Sequence, residues 1–324
     1  MEFLTPASGK KDLKKLPADW EFSLLLKMRR RRNRRGFQKA YEYLLGRYEG
    51  AKKTVPARVH GFSVLLNPGN TYPFIIQDVP LFNAPLVELV YQAFSTKGGP
   101  VRFVDTGAAT GDTILLLKQK CPNQVGEFIC VEGDAEFFSL LSHNMAQFDN
   151  VRLVQAVLSR EAMQIRSLVK HHLGTAAAIG DEMISAIPLD QAAEVRKATV
   201  DVLKIDVDGF DGAVLSGAKA MLAADRPAVI FEWHPKLVLA TGNDPMEAFS
   251  VLAGCGYKRY LWFNNVGTFS HFSGTASPEI LKKAADYLLS VNSRADDHFD
   301  VIALPDSSRI NDVVLAAMEY SRTR

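Results

Sequence analysis

The sequence predicts an α/β fold with a mostly parallel sheet, and two observations predict it. The first is an alternation of apolar, strand-length segments with segments that have the apolar spacing of helices. Such alternation implies right-handed crossovers between parallel strands, with helices on both faces of the sheet. The second is Val101–Gly111, VRFVDTGAATG, in which an apolar run passes directly into glycines and then into a helix start. A strand, a glycine turn and a helix N-terminus form the usual nucleotide-binding turn of open α/β sheets.

The part of the chain that precedes this pattern is predicted to be an extension. Residues 1 to about 55 have helical apolar spacing and many basic residues. Within residues 60–78, two short apolar runs flank NPGNTYP, whose proline, glycine and asparagine predict the turn of a β-hairpin. We therefore predict a helical, basic N-terminal extension plus a β-hairpin at 1–82, followed by the main domain at 83–324.

The main domain is predicted to open with a helix, because Asn83 can cap it and Pro85 suits its first turn. Residues 164–198 show no strong strand pattern, and HHLGTAAAIG within them predicts a mobile loop. The runs 257–263 and 299–305 are candidates for the edge of the sheet. Between Val101 and that edge, the strand candidates are 126–132, 151–158, 201–207 and 228–234.

Composition limits the class of protein. The chain has 324 residues, 47% of them hydrophobic, which is enough to bury a full core. It contains no run of 18 apolar residues, and its start lacks the apolar region of a secretory signal, so we expect a cytoplasmic protein. The 3 cysteines show no C-x-x-C spacing, which predicts buried thiols instead of a disulfide framework or a zinc site.

Positive charge is concentrated at the N-terminus. Residues 1–60 carry 16 Lys or Arg against 6 Asp or Glu, whereas the rest carry 22 against 30. The densest part is Arg29–Arg35, RRRRNRR. This run predicts either a solvated helix face or contact with an anionic surface, a lipid-linked intermediate or a partner at the membrane periphery. Nucleic acid is not expected, because no groove-reading motif accompanies the charge.

The glycine turn and two acids indicate which nucleotide is bound. Glu132 ends the second strand, where a carboxylate suits the vicinal hydroxyls of a ribose. Dinucleotide enzymes and S-adenosylmethionine enzymes share that feature. Gly107 and Gly111 give the spacing G-x-x-x-G, whereas a pyrophosphate binder favours G-x-G-x-x-G. Asp105 just before the turn would repel a diphosphate but suits a cationic ligand. The spacing and the charge therefore favour S-adenosylmethionine over a nicotinamide dinucleotide.

Five segments also resemble the FkbM family of class I S-adenosylmethionine-dependent methyltransferases. The resemblance covers about residues 85–235, and its most specific part is KIDVDGFD followed by VLSGA. It implies a Rossmann-like sheet of seven strands, one of them antiparallel, and methyl transfer to a hydroxyl of a sugar, glycan or polyketide. Where the family usually has asparagine in the glycine turn, this chain has Ala109 and Thr110. The five segments, in order, are VDTGAATGDT, CVEGDAEFFSLLSHNM, VRLVQAVLS, VLKIDVDGFDGAVLSGAKAML and VIFEWHP.

These motifs together select the residues that are expected to bind S-adenosylmethionine. They lie at the glycine turn, at the end of the second strand, within the third strand segment and at the end of the fourth strand. The predicted cofactor-binding residues are Asp105, Thr106, Gly107, Ala108, Gly111, Asp112, Glu132, Gly133, Ala156 and Asp206.

Methyl transfer to a hydroxyl needs a base that removes its proton. Strand alternation places Asp206 and Asp208 on one face of the fourth strand, and Glu232 and His234 on one face of the fifth. His234 is the first candidate, because histidine titrates near neutral pH and a carboxylate can orient its ring. Its alternative role is structural, within a turn before proline. Asp208 is the second candidate, and Lys204 on the same strand is expected to pair with a buried acid.

Three functions remain open at this point. The first is an S-adenosylmethionine-dependent O-methyltransferase acting on a small molecule or glycan. The second is a nicotinamide-linked sugar oxidoreductase, which shares the ribose-binding acid. The third is a non-catalytic adaptor that uses the basic N-terminal segment. Carboxylates near the fourth strand are also candidate ligands for a divalent cation, but no metal site is predicted, because close carboxylates alone are not a metal site.

Overall fold

A computed structural model describes residues 19–31, 37–49, 54–170, 176–274, 278–290, 297–312 and 315. The chain divides into two compact units, residues 1–70 and 71–324. Whether it folds as domains 1–82 and 83–324 stays a prediction.

The described residues of the first unit form two helices and a hairpin. The two helices agree with the helical apolar spacing that the sequence shows before residue 55. Its buried side chains include Phe22, Leu25, Tyr41 and Tyr48, and the rings of Phe22 and Tyr48 lie 5.0 Å apart. The elements are α1 (Asp19–Arg29), α2 (Phe37–Glu49), β1 (Val55–Val59) and β2 (Phe62–Leu66).

Only part of the arginine run Arg29–Arg35 can be placed. Its first three residues end α1 and follow it, and residues 32–36 lie outside the described residues. Contact with an anionic surface through this run therefore stays a prediction.

The predicted β-hairpin within residues 60–78 is wrong in position. β1 and β2 form an antiparallel hairpin in which Val59 pairs with Phe62. Its turn residues His60 and Gly61 have φ of 52° and 91°, the left-handed values that two-residue hairpin turns require. The second predicted strand is instead a helix of the second unit, because Pro73 sits in its first turn with φ already suited to a helix.

The second unit alternates helices and strands. Leu189–Gln191 forms a single 3₁₀ turn within it. Its elements are α3 (Tyr72–Asp78), α4 (Ala84–Lys97), β3 (Val101–Thr106), α5 (Asp112–Lys120), β4 (Val125–Glu132), α6 (Ala135–Met145), β5 (Val151–Gln155), β6 (Val157–Leu158), β7 (Met163–Lys170), β8 (Ala176–Ile187), α7 (Ala193–Arg196), β9 (Val202–Ile205), α8 (Asp211–Ser216), α9 (Lys219–Ala224), β10 (Ala228–Trp233), α10 (Pro235–Ala240), α11 (Glu247–Gly254), β11 (Tyr257–Asn264), β12 (Phe269–Ser273), α12 (Pro278–Leu289) and β13 (Phe299–Pro305).

The main sheet confirms the predicted α/β fold with a mostly parallel sheet, and corrects its strand count. The strand order is β12-β11-β13-β10-β9-β3-β4-β5, which makes eight strands instead of seven. The strands from β5 to β10 pair in parallel, whereas β13 is antiparallel to β10, and β12 is antiparallel to β11. Two strands are therefore antiparallel instead of one. The additional strand, β12, continues directly from β11 as a hairpin at the sheet edge.

A second, three-stranded sheet of order β6-β8-β7 follows β5. The prediction that residues 164–198 lack a strand is wrong, because β7 pairs with β8 along most of its length. The predicted loop HHLGTAAAIG is also wrong in part. Its residues 176–180 belong to β8, and 171–175 lie outside the described residues.

Among the residues that the structure describes, every helix is too short or too polar to cross a bilayer.

The predicted helix start at Asn83 and Pro85 is confirmed, although the Asn83 side chain makes no capping hydrogen bond, and Asn83 has φ of 57°.

Arg102 connects the sheet to the segment before β9. Its side chain lies on β3 and is buried, and its guanidinium nitrogens donate to the carbonyl oxygens of Glu194, Val195 and Ala198 at 2.6–2.7 Å. Its Nε donates to the Glu127 carboxylate at 2.7 Å. A buried guanidinium that donates to three carbonyls holds α7 and the residues that follow it against the sheet.

We expect Arg102→Met to lower the free energy of unfolding by about 3 kcal/mol, because three carbonyls, one of them buried, lose a charged donor. Arg152→Met is the matched control. Arg152 approaches the same Glu127 carboxylate, at 3.9 Å, but its side chain is 54% exposed. An exposed pair of this kind contributes about 0–1 kcal/mol. Urea unfolding of both variants measures the difference, and equal losses would contradict the role assigned to Arg102.

Candidate functional site

A cleft of about 260 Å³ opens at the carboxyl ends of β3, β4 and β9. Open α/β sheets bind ligands at this edge. Four acids, Glu132, Asp134, Asp206 and Asp208, lie on its lining. The apolar lining includes Phe137, Val157, Leu158, Met163 and Ile165, the last two from β7.

The turn after β3 is shaped by backbone packing. Gly107 has φ of 77°, and a Cβ at this position would collide with the carbonyl oxygen of Asp206. Gly111 has φ of 92°, and its Cβ would collide with the side chain of Met145. The two predicted glycines are therefore needed where the turn meets β9 and α6. Ala109 between them also has a left-handed φ, 45°, which is the conformation that asparagine tolerates better than alanine.

The amide groups of this turn are already hydrogen-bonded within the protein. The amides of Gly107 and Ala108 donate to the Val131 carbonyl oxygen at 3.0 and 3.2 Å. The Ala109 amide donates to Glu132 Oε2 at 2.8 Å. A turn that binds a diphosphate needs free amide donors directed at it. This turn offers none at these three positions.

Glu132 links the two turns that follow β3 and β4. Its Oε2 accepts from the Ala109 amide, and its Oε1 accepts from the Asp134 amide at 2.8 Å. The residue is 8% exposed, and burial raises the pKa of its carboxyl, although the two amides oppose that shift. Each oxygen keeps a further lone pair, so the carboxylate can accept a hydroxyl donor from the cleft.

Lys204 on β9 is buried between two carboxylates, as the sequence predicts. Its Nζ lies 3.1 Å from Asp105 Oδ1 and 3.1 Å from Asp206 Oδ2. Burial alone would lower the pKa of Lys204, but the charges of Asp105 and Asp206 outweigh it and raise the pKa. Burial raises the pKa of Asp105 to about 6 against the opposing charge of Lys204. Asp105 thus contacts Lys204 and does not line the cleft.

The predicted cofactor residues separate into two groups. Thr106 Oγ1 donates to the Lys204 carbonyl, and Asp112 accepts from Thr110 Oγ1. Those outside the lining are Asp105, Thr106, Ala108, Gly111 and Asp112, and those on it are Gly107, Glu132, Gly133, Ala156 and Asp206.

The predicted catalytic residues also separate. Asp206 and Asp208 lie on the cleft lining, whereas Glu232 and His234 do not. Asp208 has φ of 51° and is followed by Gly209 with φ of 89°, so the chain turns sharply here after β9. Burial, then the charges of Asp206 and Glu132, raise the pKa of Asp208 to about 7. Its carboxyl can therefore exchange a proton near neutral pH.

The His234 side chain caps a helix, which is the structural alternative to its predicted role as the base. It is buried at the start of α10, where its Nδ1 accepts from the Leu237 amide at 3.4 Å. Its ring stacks on that of His298, with centroids 5.6 Å apart. The Nε2 of His298 lies 3.5 Å from Glu232 Oε2. Glu232 and His234 thus lie beside the cleft, and a role for either in catalysis stays a prediction.

A small void of about 10 Å³ lies between α8 and β10 and is lined by Asp211 and Glu232. Asp211 is 3% exposed, and its Oδ1 has no hydrogen-bond partner among the described residues. Burial, followed by the charge of Asp206, raises the pKa of Asp211 to about 8. Burial raises the pKa of Glu232 well above its usual range. At neutral pH the Asp211 carboxyl that lines the void therefore keeps its proton for most of the time.

Three residues of this region were not predicted from the sequence. Arg160 and Asn243 lie on the cleft lining, and His298 contacts Glu232. They lie in connections, where no periodic pattern marks a residue. The strands that bring part of the apolar lining could have been found, because Gln164, Ile165 and Arg166 continue a polar–apolar alternation from Met163. Among the described residues, no three His, Cys, Asp or Glu side chains form a group that could hold a metal ion.

Comparison with known proteins identifies a domain in this region. Residues 124–259 match the family model of the methyltransferase FkbM domain. No curated protein sequence matches the chain.

Several solved methyltransferase structures are similar to this chain at low sequence identity. Methyltransferase FkbM from Methylobacillus flagellatus is 14% identical, with 41% of this chain and 33% of that chain covered and a TM-score of 0.33. The precorrin-6y C5,15-methyltransferase from Geobacter metallireducens is 12% identical over 67% and 88%, with a TM-score of 0.36. An S-adenosylmethionine-dependent methyltransferase from Aquifex aeolicus is 12% identical over 69% and 90%, also with a TM-score of 0.36.

We expect Asp211→Asn to raise the free energy of unfolding more at high pH than at low pH. The pKa of Asp211 is about 8 in the folded state, whereas that of an unfolded aspartate is about 3.9. Between these values the folded state keeps a proton that the unfolded state has released. The carboxyl therefore lowers stability as pH rises, by up to about 1.4 kcal/mol per pH unit.

Asparagine does not titrate, so the gain in stability should grow from about pH 5 to about pH 8. Urea unfolding of both proteins across this range measures it. A constant difference between the two would show that Asp211 is ionised in the folded state.

Proposed function

We propose that this chain, whose residues 124–259 match the family model of the methyltransferase FkbM domain, transfers a methyl group from S-adenosylmethionine to a hydroxyl oxygen. The acceptor that the FkbM resemblance favours is a sugar, a glycan or a related metabolite. The observation that carries the proposal is an acidic cleft at the carboxyl edge of the sheet, next to a carboxyl whose pKa is about 7. Bound S-adenosylmethionine supplies a methyl carbon that its sulfonium makes electrophilic.

The charge of the cleft fits a cationic cofactor. Four acids lie on the described lining, against one base, Arg160, which is itself paired with Glu247. Such a lining attracts an ammonium or sulfonium group and repels a diphosphate. Glu132 would hold the ribose hydroxyls, and the small residues Gly133 and Ala156 leave room beside it.

The hydrogen bonds of the glycine turn also disfavour a nicotinamide dinucleotide. Its three successive amides, from Gly107 to Ala109, already donate to acceptors on β4. A diphosphate placed there would meet carboxylates instead of free amide donors. This occupancy favours S-adenosylmethionine over the cofactor of the oxidoreductase alternative.

Asp208 is the base that the geometry favours. It lies on the cleft lining, and a carboxyl with a pKa near 7 is ionised often enough to accept a proton and basic enough to hold it. The neighbouring Asp206 is half-exposed and lies 3.1 Å from Lys204 Nζ, and its charge contributes to the raised pKa of Asp208. His234 is the weaker candidate, because its Nδ1 accepts a helix amide and its ring lies off the lining.

We expect Glu132→Ala to weaken binding of S-adenosylhomocysteine at least about tenfold, because the ribose loses a charged acceptor. Glu127→Ala is the matched control, since Glu127 lies on the same strand away from the cleft. Isothermal titration calorimetry measures both. Unchanged binding by Glu132→Ala, or quenching of protein fluorescence by NADH with no response to S-adenosylmethionine, would contradict the proposed cofactor site.

We expect the rate of methyl transfer to rise with pH through about 7, because Asp208 must be ionised to accept the proton. Asp208→Asn should lower that rate about a hundredfold or more and remove the rise. Asparagine also tolerates the left-handed backbone at this position. Transfer of labelled methyl from S-adenosylmethionine to saccharide extracts of the host measures both.

The control for this experiment is His234→Asn, because asparagine can still cap α10. We expect a change of less than about threefold in its rate, since His234 lies off the lining. The opposite result, in which the His234 variant is inactive and the Asp208 variant retains its rate, would make His234 the base.

A further inference from the structure

Arg160 lies in the turn between β6 and β7 and is the single basic residue on the described lining of the cleft. Its side chain is 48% exposed. Within S-adenosylmethionine, the ribose, the ammonium and the sulfonium favour acceptors or carboxylates, and its methionine carboxylate is the one group that favours a positive charge. A guanidinium on the lining therefore has two candidate partners, the carboxylate of the cofactor and an oxyanion of the acceptor.

Arg160 is held in one orientation by two side chains. Its Nε and Nη2 donate to the two oxygens of Glu247, at 3.3 and 2.9 Å. Its Nη2 also donates to Asn243 Oδ1 at 3.3 Å. This is the two-pronged pairing that fixes the plane of an arginine side chain.

Both partners are themselves fixed. Ser216 Oγ donates to Glu247 Oε1 at 2.9 Å. Asn243 Nδ2 donates to the Gly209 carbonyl oxygen and to Thr241 Oγ1, each at 3.0 Å. Gly209 follows the proposed base Asp208 directly, so this network connects the guanidinium to the backbone of the reaction centre.

One edge of the guanidinium remains available. Among the described residues, no group accepts a hydrogen bond from Nη1 of Arg160. Binding to Glu247 explains why the side chain is ordered, but not why a donor remains open on the cleft. An oxyanion of a bound molecule can accept from this nitrogen, as carboxylates and phosphates do from arginine.

We propose that Arg160 binds an oxyanion of the methyl acceptor, a carboxylate or a phosphate carried on the sugar. This inference rests on the proposed function and adds the charge of its substrate. The four lining acids repel an oxyanion, and Arg160 is the one base on the described lining that attracts it. They therefore orient the acceptor, with its anionic group on Arg160 and its neutral hydroxyls towards Asp208.

Three hexoses test this with the full chain saturated with S-adenosylhomocysteine. Glucose carries no charge, glucuronate carries a carboxylate and glucose 6-phosphate carries a phosphate. We expect one or both charged sugars to bind more tightly than glucose in calorimetry. Arg160→Gln should weaken that binding about ten- to hundredfold and leave glucose unaffected. The charged sugar that binds more tightly identifies the source of the oxyanion.

Arg166→Gln is the matched control, because Arg166 is exposed on β7 and lies off the cleft lining. Arg160→Lys keeps the charge without the fork and should bind with intermediate affinity. Thermal unfolding of each variant shows whether the fold persists. If Arg160→Gln weakens binding of S-adenosylhomocysteine and leaves all three sugars unaffected, Arg160 binds the carboxylate of the cofactor, and this inference is wrong. If wild type binds S-adenosylhomocysteine but binds all three sugars equally or not at all, or if Arg160→Gln and Arg166→Gln behave alike, this inference is wrong. Failure to bind S-adenosylhomocysteine would instead overturn the proposed function.

Discussion

The site depends on one buried cation, the ammonium of Lys204. A buried charge is tolerated only when it is paired, and Lys204 is paired with Asp105 below the glycine turn and with Asp206 at the cleft. The pair therefore joins β3 to the end of β9, the two strands whose ends form the floor of the cleft. Because Asp105 pairs with Lys204 and does not line the cleft, a ligand can contact only the acids on the described lining, which are Glu132, Asp134, Asp206 and Asp208.

The glycine turn likewise packs against one neighbouring strand and hydrogen-bonds to another. Gly107 lets the backbone of β3 approach that of Asp206, and its amide and those that follow donate to β4. Three successive amides of the turn are thereby unavailable to a diphosphate, and one of them holds Glu132 beside the turn. A site in which the backbone donors are satisfied must recognise its ligand through carboxylates, which suits hydroxyl and cationic groups. The two glycines of the turn are required by what they pack against, the backbone of Asp206 and the side chain of Met145.

Sequence reasoning predicted the central strands well, because buried parallel strands are continuous apolar runs bounded by turn residues, as at β3, β4 and β10. It also predicted that Lys204 would pair with an acid, since a lysine in such a run has no other solution. It misplaced the hairpin, because the second apolar run has no alternation and begins with a helix-compatible proline. Arg160 was missed because its partners Asn243 and Glu247 are more than 80 residues away in sequence. Pairing over that distance leaves no local pattern.

The titration of Asp208 follows from the same long-range arrangement. Burial and the charges of Asp206 and Glu132 raise its pKa, while Lys204 lowers it. Lys204 does not line the cleft, yet it fixes Asp206 in place and opposes the shift that Asp206 causes. A residue that never meets the acceptor therefore adjusts the basicity of the one proposed to deprotonate it. The pKa of Asp208 thus depends on Asp206, Glu132 and Lys204 together, and of these three Lys204 alone does not line the cleft.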